Sequence, residues 1–464
     1  MRKILFIFLF FSGEMVFAQN KQLLYNFDGL PQNLMSNPGG ETDFDMNFGL
    51  PLFSGIHFSA GSTGVTFYDV FKTEGGTVND NIREALGNLT NQDFFTVNQQ
   101  LELVFFGWRG KNSRYFSGGI YQEMDAILYF PKDPAILAYE GNKDHISKTF
   151  DFSDLAFSAE VLNVFHFGFT NYYSEDLNYG ARAKIYSSIF NAYSVDNRGS
   201  FRTIPSPAAP NLYRHFVNMD VMVKTAGYAS LIDDGTTARQ KISQVGSRAF
   251  LGGNLGLGLD LGFSYYMNDQ TRFTGSVIDI GFIYQNKDVE NYHYYGDYVT
   301  DGIELGFPNG PSPPYWDIWE DDLDKHLKDE TLFDSYVTWR PVKFNASVDF
   351  GFNENMTPCN CHKPSGRREY YNHISFHLFS MKRPKDFVHA ATLSFDKTFS
   401  ENFRGKITYT ADSFSFTNIG LLFSSTFNGF NFYLAADNLL SYINLAKAHN
   451  ASIQLGFQLL INRE

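Results

Sequence analysis

Apolar and polar residues alternate along much of the chain with the period of a β-strand. In ASIQLGFQLLI (451–461), Ile453 and Phe457 fall on one face, whereas Gln454 and Gln458 fall on the other. The same alternation is found in LGLGLDLGF (255–263), KFNASVDF (343–350), NHISFHLF (372–379) and GFNFYLAAD (429–437). Half-apolar segments of about 9–11 residues have the length that a tilted strand needs to cross a bilayer. The pattern therefore predicts strands with one face toward lipid and one toward a polar interior.

The connections between these segments come in two lengths. FSENF (399–403) and TFNGF (426–430) are short turns built on Asn, Ser, Glu and Gly. Long polar insertions occupy 130–148, 202–214 and 307–330. Short turns at one end and long loops at the other are typical of outer-membrane β-barrels.

The predicted fold class is all-β: a transmembrane antiparallel β-barrel with short helices in its loops, one of them within 76–93. Between Gly55 and Ile461 there are roughly 13 to 15 candidate strands, and we expect about 14 because bacterial single-chain barrels have even strand numbers. A secreted, soluble protein made of several β-sandwiches is the alternative, since it also gives many alternating strands. That alternative explains less well why the alternation continues to the last residues and why the polar faces are rich in Gly, Gln, Asn and Ser.

Composition agrees with the barrel. Aromatic residues make up 17% of the chain, with 49 Phe and 27 Tyr, yet the mean hydropathy is −0.25. A transmembrane barrel combines these properties, because its outer face is apolar, its lumen is polar and aromatic girdles lie at both interfaces. The formal charge of −13 at pH 7, without clustered Lys and Arg, argues against nucleic acid as a partner.

The first residues have the three-part layout of a secretory signal peptide. Arg2 and Lys3 precede an apolar run over 4–11, and Val16-Phe17-Ala18 places small residues just before Gln19. No later segment approaches the ~18 consecutive apolar residues of a membrane-spanning helix. We therefore expect export with cleavage of this segment, location in the cell outer membrane, and outer-membrane lipid as a partner.

The segment after the signal peptide contains the motif Asn37-Pro38-Gly39-Gly40 between two apolar patches. Pro38 fixes its own φ, and Gly39 and Gly40 permit positive φ, so the motif predicts a tight reversal. Because it precedes the first convincing strand, it belongs to a chain that enters the barrel from the periplasm, and the apolar patches would then be buried against the inner wall. The expected parts in chain order are a signal peptide (1–18), an N-terminal periplasmic or plug segment (19–52) and the transmembrane β-barrel (53–464).

A family resemblance rests on three segments: LYNFDGLPQNLMSNPGGETDFDMNFGLPLFSGIHFSAGSTGVTFYDVF (24–71), LGLDLGFSYY…TGSVIDIGFIY (257–284) and GFNFYLAADNLL (429–440). They resemble an uncharacterised, domain-of-unknown-function family of outer-membrane β-barrels from Bacteroidota. More distantly, the chain is similar to the long-chain fatty-acid transporter group and to the barrel subunits of the type IX secretion system. In those transporters an Asn-Pro-Ala motif lies in an N-terminal hatch inside the barrel. The match here is Asn37-Pro38 followed by Gly39, which implies a plug at this motif; the resemblance implies no activity.

The group CNCH is a candidate site for a soft metal, because Cys359, Cys361 and His362 place two thiols and an imidazole within one short loop. No second pair of ligands lies nearby, and an ordinary loop is the alternative. A disulfide between Cys359 and Cys361 would be badly strained.

The insertion at 307–330 carries Trp316 and Trp319 among many acidic residues. A partner-binding loop is one interpretation, since Trp is enriched at interface hot spots, and a helix that caps the loop is the other. The chain has neither a G-x-S-x-G elbow nor an H-E-x-x-H motif, so we expect neither an enzyme nor a cofactor.

Two functions remain open at this stage. The first is an accessory or interaction subunit of an envelope complex, for secretion or outer-membrane assembly, with envelope proteins as partners. The second is a passive channel or transporter for a small, perhaps hydrophobic, solute. Bulky lumen-facing residues such as Tyr433, Gln454 and Gln458 favour the first, because they suggest a filled barrel.

Overall fold

The computed structural model describes residues 22–74, 76–110, 114–207, 212–233, 235–301, 326–355 and 368–462. The strands in these residues are β1 (Met46–Gly49), β2 (Ile56–Ser62), β3 (Phe94–Arg109), β4 (Arg114–Tyr129), β5 (Thr149–Asp151), β6 (Ala156–Tyr172), β7 (Leu177–Pro205), β8 (Tyr213–Ala226), β9 (Asn254–Tyr266), β10 (Thr271–Gln285), β11 (Val289–Thr300), β12 (Lys328–Leu332), β13 (Tyr336–Trp339), β14 (Lys343–Glu354), β15 (Tyr370–Lys382), β16 (Phe387–Ser400), β17 (Phe403–Ala411), β18 (Asn418–Phe427), β19 (Phe430–Asp437) and β20 (Asn450–Ile461). The α-helices are α1 (Asn33–Ser36), α2 (Phe67–Phe71), α3 (Val78–Asn88), α4 (Lys132–Glu140), α5 (Ala229–Ile232) and α6 (Ala238–Ser247), with 3₁₀ turns at Gln22–Leu24, Leu439–Ile443 and Leu445–Lys447 and a π turn at Arg248–Gly252.

Antiparallel pairing closes these strands into a barrel. The wall runs in the order β3, β4, β6, β7, β9, β10, β14, β15, β16, β17, β18, β19 and β20. β1 and β2 lie end to end as one interrupted strand, and both pair with β20 on one side and β3 on the other. Counted in this way, the described residues form a closed wall of 14 strands, and the predicted fold class is confirmed.

The first wall strand is interrupted by residues 50–55. Leu50 N donates to Phe457 O at 3.0 Å, and Phe457 N donates to Phe53 O at 2.8 Å, so hydrogen bonds still cross the interruption. Leu50 and Phe53 are about half exposed on the outside of the wall. The wall therefore begins at Met46, ahead of the boundary expected at Phe53, because β1 already pairs with both of its neighbours.

The two ends of the barrel differ. The turn end carries the short connections, such as 401–402 and Asn428-Gly429. Asn428 and Gly429 have φ of 47° and 81°, the conformation of a type I′ hairpin turn. The loop end carries the long connections with their helices.

At the loop end β7 continues beyond the wall. Its first part pairs with β6 and β9, and its second part pairs with β5 and β8. β8 pairs with β11, and β11 pairs with β12. We call this second layer, in the order β5, β7, β8, β11 and β12, the protruding sheet.

The wall strands have one apolar and one polar face, as the alternation predicts. In β9, Leu257 points outward and is 60% exposed, whereas Asp260, on the inward face of the same strand, is fully buried. In β20, Ile453 and Phe457 are exposed on the outside, and Gln454 is buried on the inside. An uninterrupted apolar exterior of this kind matches a lipid environment.

The helices lie in the loops. α3 falls within the predicted span 76–93 and starts with a capping box, in which Thr77 Oγ1 accepts from Asp80 N and Thr77 N donates to the Asp80 carboxylate. Among the helices of the described ranges, none is long and apolar enough to cross a membrane.

Candidate functional site

Residues 22–45 lie inside the barrel and touch the inward faces of strands around its circumference; we call this segment the plug. Most of its residues are buried although it has little regular structure beyond α1. Leu23, Leu24, Phe27 and Leu30 pack in one apolar cluster with wall residues of β18 and β19, including Leu422. The apolar patch before the turn motif is therefore buried against the inner wall.

The motif Asn37-Pro38-Gly39-Gly40 forms a tight turn at the inner wall. Gly40 N donates to Asn37 O at 2.9 Å, and Gly39 N donates to Asn37 Oδ1 at 2.9 Å. Asn37 Nδ2 in turn donates to the carbonyl of Phe263 in β9 at 3.2 Å. One buried amide thus shapes the turn and ties it to the wall.

The wall has a dent that receives this turn. Gly180 of β7 and Gly262 of β9 are directly opposite each other in the sheet, and we call this pair the glycine socket. A Cβ at position 180 would overlap the carbonyl oxygen of Pro38, and one at 262 would overlap the Asn37 side chain. Only glycine at both positions lets the turn approach the sheet so closely.

Gly39 is required for the same reason and not for its φ. Neither Gly39 nor Gly40 is among the described glycines with positive φ, so the turn does not use the freedom in φ that the two glycines permit. A Cβ on Gly39 would lie 2.5 Å from the Gly262 carbonyl oxygen and from Phe263 Cα. The close backbone approach explains why position 39 is glycine.

Hydrogen bonds from two strands complete the seat of the turn. Thr170 Oγ1 of β6 donates to Pro38 O at 2.7 Å, and Ser264 Oγ of β9 donates to Gly39 O at 2.9 Å. Each carbonyl of the turn that faces the wall therefore has a side-chain donor.

Ion pairs hold the plug at the turn end. Arg272 Nη1 contacts Asp28 at 2.7 Å, and Arg109 Nε contacts Asp45 at 2.9 Å. Arg404 of β17 binds Asp43. The cations belong to the wall and the carboxylates to the plug, so the wall binds the plug electrostatically on several sides.

Tyr25, near the start of the plug, contacts three strands of the wall. Its ring stacks on His377 with 4.1 Å between ring centroids, and Thr274 Oγ1 donates to its hydroxyl at 3.1 Å. Lys406 Nζ donates to its backbone carbonyl at 2.7 Å. Burial raises the pKa of Tyr25 to about 12, so the phenol stays neutral.

Charged side chains on the inward faces of β4, β6, β7, β9, β10 and β14, and in the linker before β14, form a continuous chain of alternating sign. We call it the charge ladder; its members in order are Glu160, Arg340, Glu123, Lys343, Asp279, Lys184, Asp260 and Arg182. Successive contacts include Lys343–Asp279 at 2.8 Å, Lys184–Asp279 at 2.6 Å and Lys184–Asp260 at 2.8 Å. Every charge in it faces an opposite one, which is the condition for keeping ions in a lumen sealed from water.

The ladder depends on a bulge and ends on the plug. The β9–β10 register shifts between Val277 and Ile280, and Asp279 there has φ of 63°, which turns its side chain toward Lys184 and Lys343. At the other end of the ladder, Arg182 donates to Leu34 O and to Met35 O of the plug. Arg182 lies directly opposite Asp260 in the sheet, two residues from the glycine socket. The ladder therefore connects the loop-end half of the lumen to the plug.

Two small cavities lie in the described lumen. A cavity of about 30 Å³ lies at the loop end beside β2, β3 and β20, and one of about 10 Å³ lies lower on the same strands against the plug. Such volumes hold one or two water molecules. At these two places the plug and the wall leave no passage for a larger solute.

The other candidates from the sequence fall elsewhere. Cys359, Cys361 and His362, and also Trp316 and Trp319, lie outside the described residues. Within the described ranges no group of three or more His, Cys, Asp or Glu side chains is placed to hold a metal ion. Sequence reasoning missed the glycine socket and the charge ladder; the inward glycines of LGLGLDLGF were the available signal for a close approach.

Taken together, these features define an outer-membrane-type β-barrel closed by an N-terminal plug. Residues 38–437 match the family of unknown function DUF5723, so the chain belongs to that family. No curated protein is significantly similar to the chain in sequence.

Solved structures similar to the chain include the Pseudomonas putida toluene transporter TodX, with 10% identity, 96% of this chain and 98% of that chain covered, and a TM-score of 0.40. The CymD monoaromatic hydrocarbon channel has 10% identity, 94% of each chain covered and a TM-score of 0.39. A Pseudomonas aeruginosa FadL homologue has 8% identity, 94% of each chain covered and a TM-score of 0.38. Similarity at this level does not define a solute for the chain.

Proposed function

We propose that the protein is a gated, passive channel for a small solute in the outer membrane. The observation that carries this proposal is the way in which the lumen is closed. A separate segment, the plug, fills the turn-end half of the barrel and is seated in a dent of the wall made by Gly180 and Gly262. A barrel that served only as a scaffold could be filled by its own inward side chains and would need no seat for a separate segment.

The contacts at the seat suit a reversible closure. The seat of the turn is polar, and each of its neutral hydrogen bonds is worth about 0.5–1.5 kcal/mol net because water replaces it on release. The Arg404–Asp43 pair is partly exposed, with 31% and 16% of the two side chains accessible, so water also reaches it. Release of the turn therefore costs little more than the sum of a few such bonds, while the apolar cluster around Leu23 and Leu30 keeps the plug tethered.

The proposed location in the outer membrane follows from the outer surface of the wall. An apolar exterior that includes Leu257, Phe376 and Phe423, each more than 40% exposed, is compatible with lipid and not with water. The signal-like residues 1–18 support export to the outer membrane. The proposal assigns no catalytic step to the chain.

Planar bilayers test the proposal. The full chain should be silent or open rarely, whereas a chain lacking residues 22–40 should give stepwise conductance. A synthetic peptide of residues 22–45 added to the turn-end side should close the deletion variant again. A deletion variant that is folded, as judged by different gel migration before and after heating, and still silent would contradict the channel.

An interaction subunit of an envelope complex is the second candidate, and the protruding sheet favours it. Phe216 and Val299 are opposite each other on its outer face and are 37% and 51% exposed. An apolar pair beyond the membrane wall suits contact with another protein. Pull-down in mild detergent should then recover a partner with the native chain and less of it with Phe216→Ser; a barrel that is always recovered alone would exclude this role.

A further inference from the structure

The two cavities of the lumen lie on the same side of the barrel, one after the other along its axis. Ser59, Thr96 and Asn450 line the loop-end cavity, and His57 and Gln454 line the lower one. Both cavities are lined by β2, β3 and β20, so incomplete packing follows these strands from the loop end down to the plug.

This side of the lumen is chemically different from the opposite side. The charge ladder occupies β4, β6, β7, β9, β10 and β14, and its ions are bound to one another. The inward positions of β17–β20, β2 and β3 are mostly amides and hydroxyls: Asn98, Gln100, Thr408, Thr410, Asn418, Asn431, Ser452 and Gln454. A solute moving along this side therefore meets uncharged hydrogen-bonding groups.

Buried polar atoms on this side have spare hydrogen-bonding capacity. Gln454 is 2% exposed, lines the lower cavity, and its Nε2 has no hydrogen-bond partner among the described residues. Thr408 Oγ1 and Asp437 Oδ1 also have none within the described ranges, and both lie on the inner wall beside Gly420, close to Leu23 of the plug. Buried polar atoms without partners are costly, and a solute with hydroxyl groups can satisfy them.

The loop-end cavity adds an apolar surface. The rings of Phe94 and Phe414 meet edge to face there, with 5.7 Å between centroids. Arg383 also lines this cavity, but Asp125 binds it at 2.5 Å. In the lower cavity Glu102 accepts from Gln32 of the plug at 3.2 Å. The charges at both cavities are thus already engaged.

Resting on the channel proposed above, we propose that the solute passes between the plug and the wall formed by β2, β3 and β20. We further infer that it is a small, neutral, hydroxyl-bearing molecule with an apolar face. Amides and hydroxyls bind its hydroxyl groups, and the phenylalanine pair receives its apolar face. An anionic solute is rejected, because the carboxylates of Glu102 and Asp437 lie on this side and the nearby cation Arg383 is bound to Asp125.

Solute entry into proteoliposomes tests the route and the class together. The full chain with Gly39→Ala, which loosens the plug, should admit glucose faster than gluconate, which is similar in size but anionic. Gln454→Glu should slow glucose entry by about fivefold or more, the factor expected for loss of one hydrogen bond. Gln285→Glu makes the same change at a buried inward position of β10 away from both cavities and should leave glucose entry unchanged.

The outcomes separate this inference from the channel itself. Equal entry of glucose and gluconate, or equal effects of Gln454→Glu and Gln285→Glu, would overturn the inference while the channel stands. Entry of no solute at all, with folded barrels in the vesicles, would overturn both. If Gln454→Glu does not fold, Gln454→Leu removes the amide at similar volume, and unchanged glucose entry in that variant would equally overturn the inference.

Discussion

Replacing Gly39 with Ala should unseat the plug without unfolding the barrel. The added Cβ would lie 2.5 Å from both the Gly262 carbonyl oxygen and Phe263 Cα, and these are backbone atoms of a paired strand that cannot turn away. The turn must therefore move off the wall. The barrel strands keep their own hydrogen bonds, because the backbone of the plug pairs with the wall at Asp45, beside β1, and not at the turn.

The size of the effect follows from these contacts. Overpacking in a close-packed site costs about 1–3 kcal/mol. Displacement of the turn also weakens the hydrogen bonds from Ser264 Oγ to Gly39 O and from Gly39 N to Asn37 Oδ1, both 2.9 Å long. At about 1 kcal/mol for each bond, the seated state loses roughly 3–5 kcal/mol, and the ratio of unseated to seated plug rises roughly 140- to 4,000-fold.

Single-channel recording in planar bilayers measures this ratio as the frequency of openings. Gly87→Ala is the matched control, because a Cβ at that position of α3 would meet no atom within 4 Å. The reasoning is refuted if Gly39→Ala is as silent as the native chain and Gly87→Ala while the plug deletion conducts. All full-length chains should show the same shift in gel migration on heating, because each of them contains a folded barrel.

Other predictions follow from the wall and the loops. Gly180→Ala should also raise the opening frequency, since its Cβ would overlap a plug carbonyl. Asp279→Ala removes the carboxylate shared by two lysines and should lower the free energy of unfolding by about 3–5 kcal/mol in urea titration, with a smaller loss for Asp279→Asn. Leu257→Lys places a charge on the lipid face and should lower stability in vesicles by about 2–4 kcal/mol. Burial raises the pKa of Asp412, in the loop between β17 and β18, to about 6. Because the folded state therefore binds this proton more tightly than the unfolded chain, whose Asp pKa is about 3.9, thermal stability should fall as pH rises from about 4 to 6 and stay flat above that. Asp412→Asn should abolish this dependence, and an unchanged pH profile would contradict it.

The wall could be predicted from the sequence because its pattern is local. In β9 and β20 each residue faces either lipid or lumen according to its position in the strand, so alternation alone gives both faces. The Asn-Gly pair at 428–429 gives the turn between β18 and β19 in the same way. Strand number then follows from counting such segments.

The site could not be predicted because it depends on register between distant strands. Gly180 and Gly262 form a socket only when β7 and β9 pair in the observed register. That same register places Arg182 opposite Asp260. A β-bulge, which the local sequence pattern does not predict, turns Asp279 inward. The turn at Asn37 was visible in the sequence, but the reason for Gly39 lies in the wall that it touches.

The interrupted first strand links the closure of the wall to the trapping of the plug. β1 and β2 pair with β20, which joins the two ends of the chain and is therefore the most non-local contact of the barrel. Forming such contacts carries a large loop-closure entropy. The plug is joined directly to β1, so pairing of β1 with β20 encloses residues 22–45 as it seals the seam. Closure of the wall and capture of the plug are therefore one structural event.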